Sequence, residues 1–255
     1  NGTVFDKLED AYVASREFSG GITDLDSLRA DGFAKNLCVV VSDVPMDGVS
    51  LGENQKGLLL DLDDRKVLYS KQALQKVYPA SITKLLTCLL GCENLDTSAQ
   101  ITLSQQAAYG IEAGSSTIYG DAGEVFTVEQ ALMGLMLESA NEMALAIGEE
   151  VSGSVKKFVE LMNTRAQQLG CTNTHFANPN GLHLSDHYST AYDLYLIFKE
   201  VAKHNEFFNI AGRSSSRIEY LGSKGEQKIY DMASTNQYIA GTYTLPSQVY
   251  MIGGK

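Results

Sequence analysis

Tryptophan is absent from this chain, cysteine occurs only four times, and no apolar run approaches the roughly 18 to 20 residues of a membrane span. Basic residues are also in short supply, with 20 Lys and Arg against 31 Asp and Glu, for a net charge of −11. That balance argues against a nucleic-acid partner, whose phosphates need clustered cations. It is compatible with a small-molecule or cell-wall substrate. The cysteines stand at 38, 88, 92 and 171, with no Cys-x-x-Cys pair to hold zinc. Cys88 and Cys92 are four apart on a helical stretch, a poor geometry for a disulfide, so the four read as structural thiols. With no tryptophan beside them, the 13 tyrosines suit core and cleft-rim packing better than carbohydrate binding. The amino terminus has no basic segment followed by an apolar one, so no signal peptide remains. The sequence is therefore that of a cytosolic protein or of a mature exported form.

The 255 residues, 44% apolar and 20% charged, can bury one large core or two lobes. Residues 1–18 read as an amphipathic helix on Val4, Leu8, Tyr12 and Val13. Leu37–Val41 reads as a short strand, and residues 42–55 as a loop. Residues 57–62 and 66–70 form a hairpin around Asp63-Asp64-Arg65, where the aspartates serve the turn. Helical patterns then cover 81–93, 103–110, 127–136, 139–152, 154–169 and 190–203, with Ser104 and Thr127 as helix starts. Strand signals return at 217–221, 227–231 and 249–252. Strands, then a helical block, then strands predict one antiparallel sheet built from both ends of the chain around a helical insertion. There is no internal repeat and no low-complexity segment.

Within Tyr78-Pro79-Ala80-Ser81-Ile82-Thr83-Lys84-Leu85-Leu86, Pro79 fits a helix entry. Helical spacing puts Ser81 and Lys84 on one face, about one turn apart. A lysine whose pKa is lowered by burial and nearby positive charge can take the proton of a serine hydroxyl. A helix turn with a solvated lysine remains the alternative. Ser139-Ala140-Asn141 opens another helical pattern. Its hydroxyl can relay a proton and its amide can hold a substrate carbonyl and the lysine, or Ser139 can simply be an N-cap. Gly253-Gly254-Lys255 is either a flexible tail or the start of a third motif. His183 and His187 flank Asp186 and are ligand types for zinc. Gly181, Ser185 and Asp186 suit a loop instead, so no metal is expected.

Ser-x-x-Lys, Ser-x-Asn and an opening Lys in this order resemble the motif set of penicillin-binding proteins and β-lactamases. The chain is similar to the low-molecular-mass penicillin-binding proteins, the serine-type D-alanyl-D-alanine carboxypeptidases, from about Gly57 to Lys255. The run Asn178-Pro179-Asn180-Gly181-Leu182 followed by His187-Tyr188-Ser189-Thr190-Ala191 resembles this carboxypeptidase branch specifically. Asn178–Gly181 itself reads as a tight turn.

The resemblance implies an α/β (α+β) fold, with an antiparallel sheet flanked by helices plus a helical lobe. Residues 1–56 would be an N-terminal helix and connection. Residues 57–255 would be the catalytic domain, with a sheet lobe (about 57–80 and 214–255) and a helical lobe (about 81–213). It implies Ser81 as nucleophile, Lys84 as base, Ser139 as proton relay, and Asn141 as a positioner of Lys84 and the substrate amide. Lys255, with Ser81 and Asn141, would bind substrate, and no metal or organic cofactor is needed. The implied partners are a peptidoglycan stem peptide ending in D-Ala-D-Ala and β-lactam antibiotics. The place of action would be the cell wall or the outer face of the bacterial cytoplasmic membrane. The resemblance further implies that Lys255 opens a Lys-Thr-Gly strand pointing at Ser81 and Ser139. The rest of that motif, and a tail domain with a membrane-anchoring end, would then lie beyond the given sequence. The alternatives are a serine β-lactamase, for which no glutamate is placed after Ser139, and a non-catalytic penicillin-sensing or wall-binding module.

Overall fold

The computed structural model describes residues 36–247 and 249–255, so the amphipathic helix expected over 1–18 lies outside the described residues. The chain divides into two compact units, residues 1–75 and 76–255.

In the first unit β1 (Gly57–Asp61) and β2 (Lys66–Lys71) form the expected antiparallel hairpin. The Asp61 carboxylate accepts the Asp64 N–H at 2.9 Å and closes the turn. Leu37–Val41 is not a strand; the only bridge nearby joins Val44 to Ser70. The run forms no strand ladder, and Val39 and Val41 are left exposed.

The second unit is built around one buried helix. After a 3-10 turn over Ala80–Thr83, α1 (Lys84–Asn94) buries every residue from Lys84 to Gly91. A helix apolar on all sides must be enclosed. Helices α3 (Val128–Leu137), α4 (Asn141–Ser152), α5 (Val155–Gln168), α6 (Ala191–Val201) and α7 (Asn205–Ala211) all pack on it. Gly91 admits this closeness: a Cβ there would stand 3.2 Å from Leu132 Cδ2. Side-chain caps start the helices where the sequence signals them. Ser104 caps α2 (Gln105–Tyr109), and Ser154 and Thr190 cap α5 and α6. Thr127 and Gln130 form a reciprocal capping box on α3.

A four-stranded antiparallel sheet runs in the order β3 (Gln100–Thr102), β4 (Val125–Thr127), β5 (Ser215–Leu221), β6 (Gln227–Ala233). The single sheet expected from both chain ends is therefore corrected. β1 and β2 make a two-stranded sheet of their own, while β5 pairs with β4 through Val125 and Leu221. The three-residue strands β3 and β4, too short to show a period, offer the edge that β5 takes. Phe126 stacks on Tyr220 at 4.4 Å beside the joint. Residues 249–252 are also not a strand: they pair with nothing in either sheet, and Val249, Tyr250 and Ile252 stay exposed. None of the four cysteines forms a disulfide among the described residues. No helix among the described residues is long and apolar enough to cross a membrane.

Candidate active site

Ser81 sits in the 3-10 turn and Lys84 opens α1, so their three-residue spacing becomes one shared face. Lys84 is 0% exposed, and its ammonium nitrogen has three oxygen neighbours. Nζ donates to Asn141 Oδ1 at 2.7 Å and to the Asn180 carbonyl at 2.6 Å, and it stands 3.4 Å from Ser81 Oγ. Burial, then the positive charge of Lys255, lowers the Lys84 pKa to about 7, against an upward pull from Glu142. Once Lys84 loses a proton, its two remaining N–H groups match the two strong acceptors. The lone pair is left toward the Ser81 hydroxyl.

The Asn180 carbonyl belongs to the Asn178–Leu182 turn, which does more than reverse the chain. Asn178 Oδ1 accepts the Gly181 N–H at 2.7 Å, and its Nδ2 donates to the Leu182 carbonyl at 2.8 Å. Thr87, one turn along α1 from Thr83, donates to the Pro179 carbonyl at 2.6 Å. Gly181 has φ +89°, and a Cβ there would lie 1.9 Å from the Ala80 carbonyl oxygen. Only glycine lets the turn press on the backbone just before Ser81. Ala80 is itself left-handed, with φ +49°.

His187 anchors this turn and is no metal ligand here, since both ring nitrogens are taken. Nδ1 accepts the Ala177 N–H at 3.1 Å, which leaves the proton on Nε2, 2.8 Å from Thr83 Oγ1. Burial pushes its pKa down to about 4, so the ring is neutral near pH 7.

Ser139 is not an N-cap. It has φ +60°, Ala140 occupies the cap position of α4, and the buried Ser139 hydroxyl has no hydrogen-bond partner. The left-handed turn follows a fully satisfied helix end. The four final carbonyls of α3, which have no partner inside the helix, are all met from outside. Gly134 accepts from Ala140 N–H, Leu135 and Met136 accept from Lys255 Nζ at 3.1 and 3.2 Å, and Leu137 accepts from Thr235. Lys255 is thus a cation at the negative end of a helix. Its pKa is lowered to about 8 by burial, opposed by Cys88 and Glu138. It does not lie on the expected strand, and the bonds of its ammonium run to those α3 carbonyls. Its charge still acts on Lys84.

The structure thus joins Ser81, Lys84 and Asn141 by hydrogen bonds, and puts Ser139 two residues before Asn141. Two members escaped the sequence reading. The Asn180 carbonyl is a backbone group and has no residue signature. Glu142 sits inside an apolar helical pattern that gave no sign of an active carboxylate.

Residues 52–244 match the family model described as D-alanyl-D-alanine carboxypeptidase. The chain is 36% identical over 192 residues to D-alanyl-D-alanine carboxypeptidase DacF of Bacillus subtilis, covering 73% of this chain and 48% of that protein. It is 33% identical over 150 residues to D-alanyl-D-alanine carboxypeptidase DacC of Escherichia coli, covering 56% and 38%. The chain therefore spans about half the length, or less, of these two curated relatives. Its fold is similar to the crystal structure of the Streptomyces K15 DD-transpeptidase, with a TM-score of 0.66 at 27% identity over 70% of this chain and 72% of that one.

Proposed function

This chain belongs to the D-alanyl-D-alanine carboxypeptidase family, and on that premise we propose that its protein removes the terminal D-alanine from peptidoglycan stem peptides through an acyl-enzyme on Ser81. The observation that carries this reading is the arrangement at Lys84 Nζ, held by Asn141 Oδ1 and the Asn180 carbonyl with its remaining direction toward Ser81 Oγ. In the first step Lys84 accepts the Ser81 proton while Oγ bonds to the carbonyl carbon between the two D-alanines. The backbone N–H of Ser81, in the first turn of its helix, supports the developing oxyanion. As the peptide C–N bond breaks, the proton taken by Lys84 passes by way of Ser139 and Lys255 to the nitrogen of the leaving D-alanine. Water then hydrolyses the ester on Ser81 and restores the hydroxyl. β-Lactams, which resemble acyl-D-alanyl-D-alanine, acylate the same oxygen. The protein acts outside the cytoplasm, at the cell wall or the outer face of the bacterial cytoplasmic membrane. No metal or organic cofactor takes part.

The test combines two measurements on the full-length protein. Incubation with a peptide ending in D-Ala-D-Ala is expected to release free D-alanine. Incubation with penicillin is expected to add one drug mass, mapped to the Ser81 peptide, that decays slowly over time. Rapid decay without D-alanine release would indicate a β-lactamase. A permanent adduct without D-alanine release would indicate a sensor. Either result overturns the proposal.

A further inference from the structure

Glu142 is 0% exposed in the first turn of α4, directly after Asn141. Its Oε1 accepts from Thr117 Oγ1 and from the Ile118 N–H, both at 2.6 Å. Thr117 Oγ1 in turn accepts the Tyr119 N–H at 2.8 Å, and the Asn141 N–H donates to the Ser116 carbonyl at 2.9 Å. Residues 116–119 are therefore stitched to the same helical turn that presents Asn141 to Lys84. Oε2, fully enclosed, has no hydrogen-bond partner.

A buried carboxylate with an unsatisfied oxygen is costly, and a helix N-terminus repays only a small part of that cost. A fold that needed only to fasten a loop could use glutamine or a hydroxyl. What distinguishes glutamate is its charge. Lys84 opens α1, is held by Asn141, the neighbour of Glu142 in α4, and by the Asn180 carbonyl of the Asn178–Leu182 turn, and feels the charge of the carboxy-terminal Lys255. Across these elements the charged groups that bear on it are Lys255, which disfavours its ammonium form, and Glu142, which favours it.

We propose that Glu142 is a positioning residue of the acylation step: it fastens the 116–119 segment to α4 and is the buried counter-charge that keeps Lys84 a strong enough base. The inference deepens the acyl-enzyme reading above and rests on it. Without that negative charge the lysine would still sit beside Ser81, but it would hold a proton too weakly to pull one from a hydroxyl efficiently.

Glu142→Gln preserves shape and the Oε1 acceptor while removing the charge. The acid limb of the penicillin acylation rate is expected to move to lower pH by about one pH unit, as removal of a nearby opposite charge requires. The plateau should fall several-fold, with the melting temperature not lowered. An unmoved limb would overturn the proposal. Thr117→Val is the complementary variant: it breaks one clamp bond and leaves the charge, so it should slow the plateau without moving the limb. A moved limb there would assign the effect to loop position and reject the charge argument. Titration of the Lys84 ε-carbon resonance in Ser81→Ala, with and without Glu142→Gln, reads the same shift in protein that cannot be acylated. A protein that never acylates would sink the function proposed above, yet this titration would still decide the role of Glu142.

Discussion

Replacing Ser81 by alanine is expected to abolish both the penicillin adduct and D-alanine release, with the fold unchanged. The hydroxyl is the only acceptor of Lys84 that is not also structural. Lys84 keeps Asn141 and the Asn180 carbonyl after the change, so the buried network stays paired. Ser81 is only partly buried, and removing its oxygen leaves no sizeable cavity, so stability should stay within about 0.5 kcal/mol. The other hydroxyl of the site, on Ser139, is enclosed and held in a left-handed turn by the α3 end. An adduct that persists in Ser81→Ala, on Ser139 or elsewhere, would show that the nucleophile has been misassigned.

The second large effect is expected from Lys84→Met, which keeps the length and removes the base. Acylation should fall by roughly 10² to 10⁴, the range for loss of a general base. Wild-type acylation should rise with pH through about 7, because the lysine works only after its ammonium has lost a proton. The variant should lack that limb. A variant that acylates at a near-normal rate, or that keeps the limb, would point to a different base.

How much of this was legible depends on which atoms carry the information. Ser81 and Lys84 are side-chain groups at helical spacing, so their shared face could be read before any coordinates, whereas the place of Asn141 beside Lys84 was implied by the motif resemblance. The Asn180 carbonyl could not, because every residue has one and only the fold selects which is used. Asn178-Pro179-Asn180-Gly181 announced a turn, but its pressure on Ala80 needs the third dimension. Ser139 was ambiguous for a local reason: a serine before a helix is usually a cap, and here the backbone turns left-handed one residue earlier. Strands β3 and β4 were invisible because three residues carry no period. Val249–Ile252 misled in the opposite sense, since its composition favours a strand that nothing in either sheet pairs with.

The enclosure of Lys84 also has a thermodynamic side. In the unfolded chain this lysine titrates near its ordinary 10.5, and in the folded protein near 7. Between those two values the unfolded chain holds a proton that the native protein has given up, so raising the pH favours the native state. Below about 7 both states carry the proton, and the buried charge weighs on the fold in full. The unfolding free energy of wild type, measured against Lys84→Met, should therefore grow by about 2 kcal/mol from pH 7 to pH 9. A constant difference would mean that the lysine is not depressed. On the proposed mechanism, the proton that must leave before Ser81 can react is also one whose departure relieves a burden on the fold, so conditions that arm the nucleophile steady the structure around it.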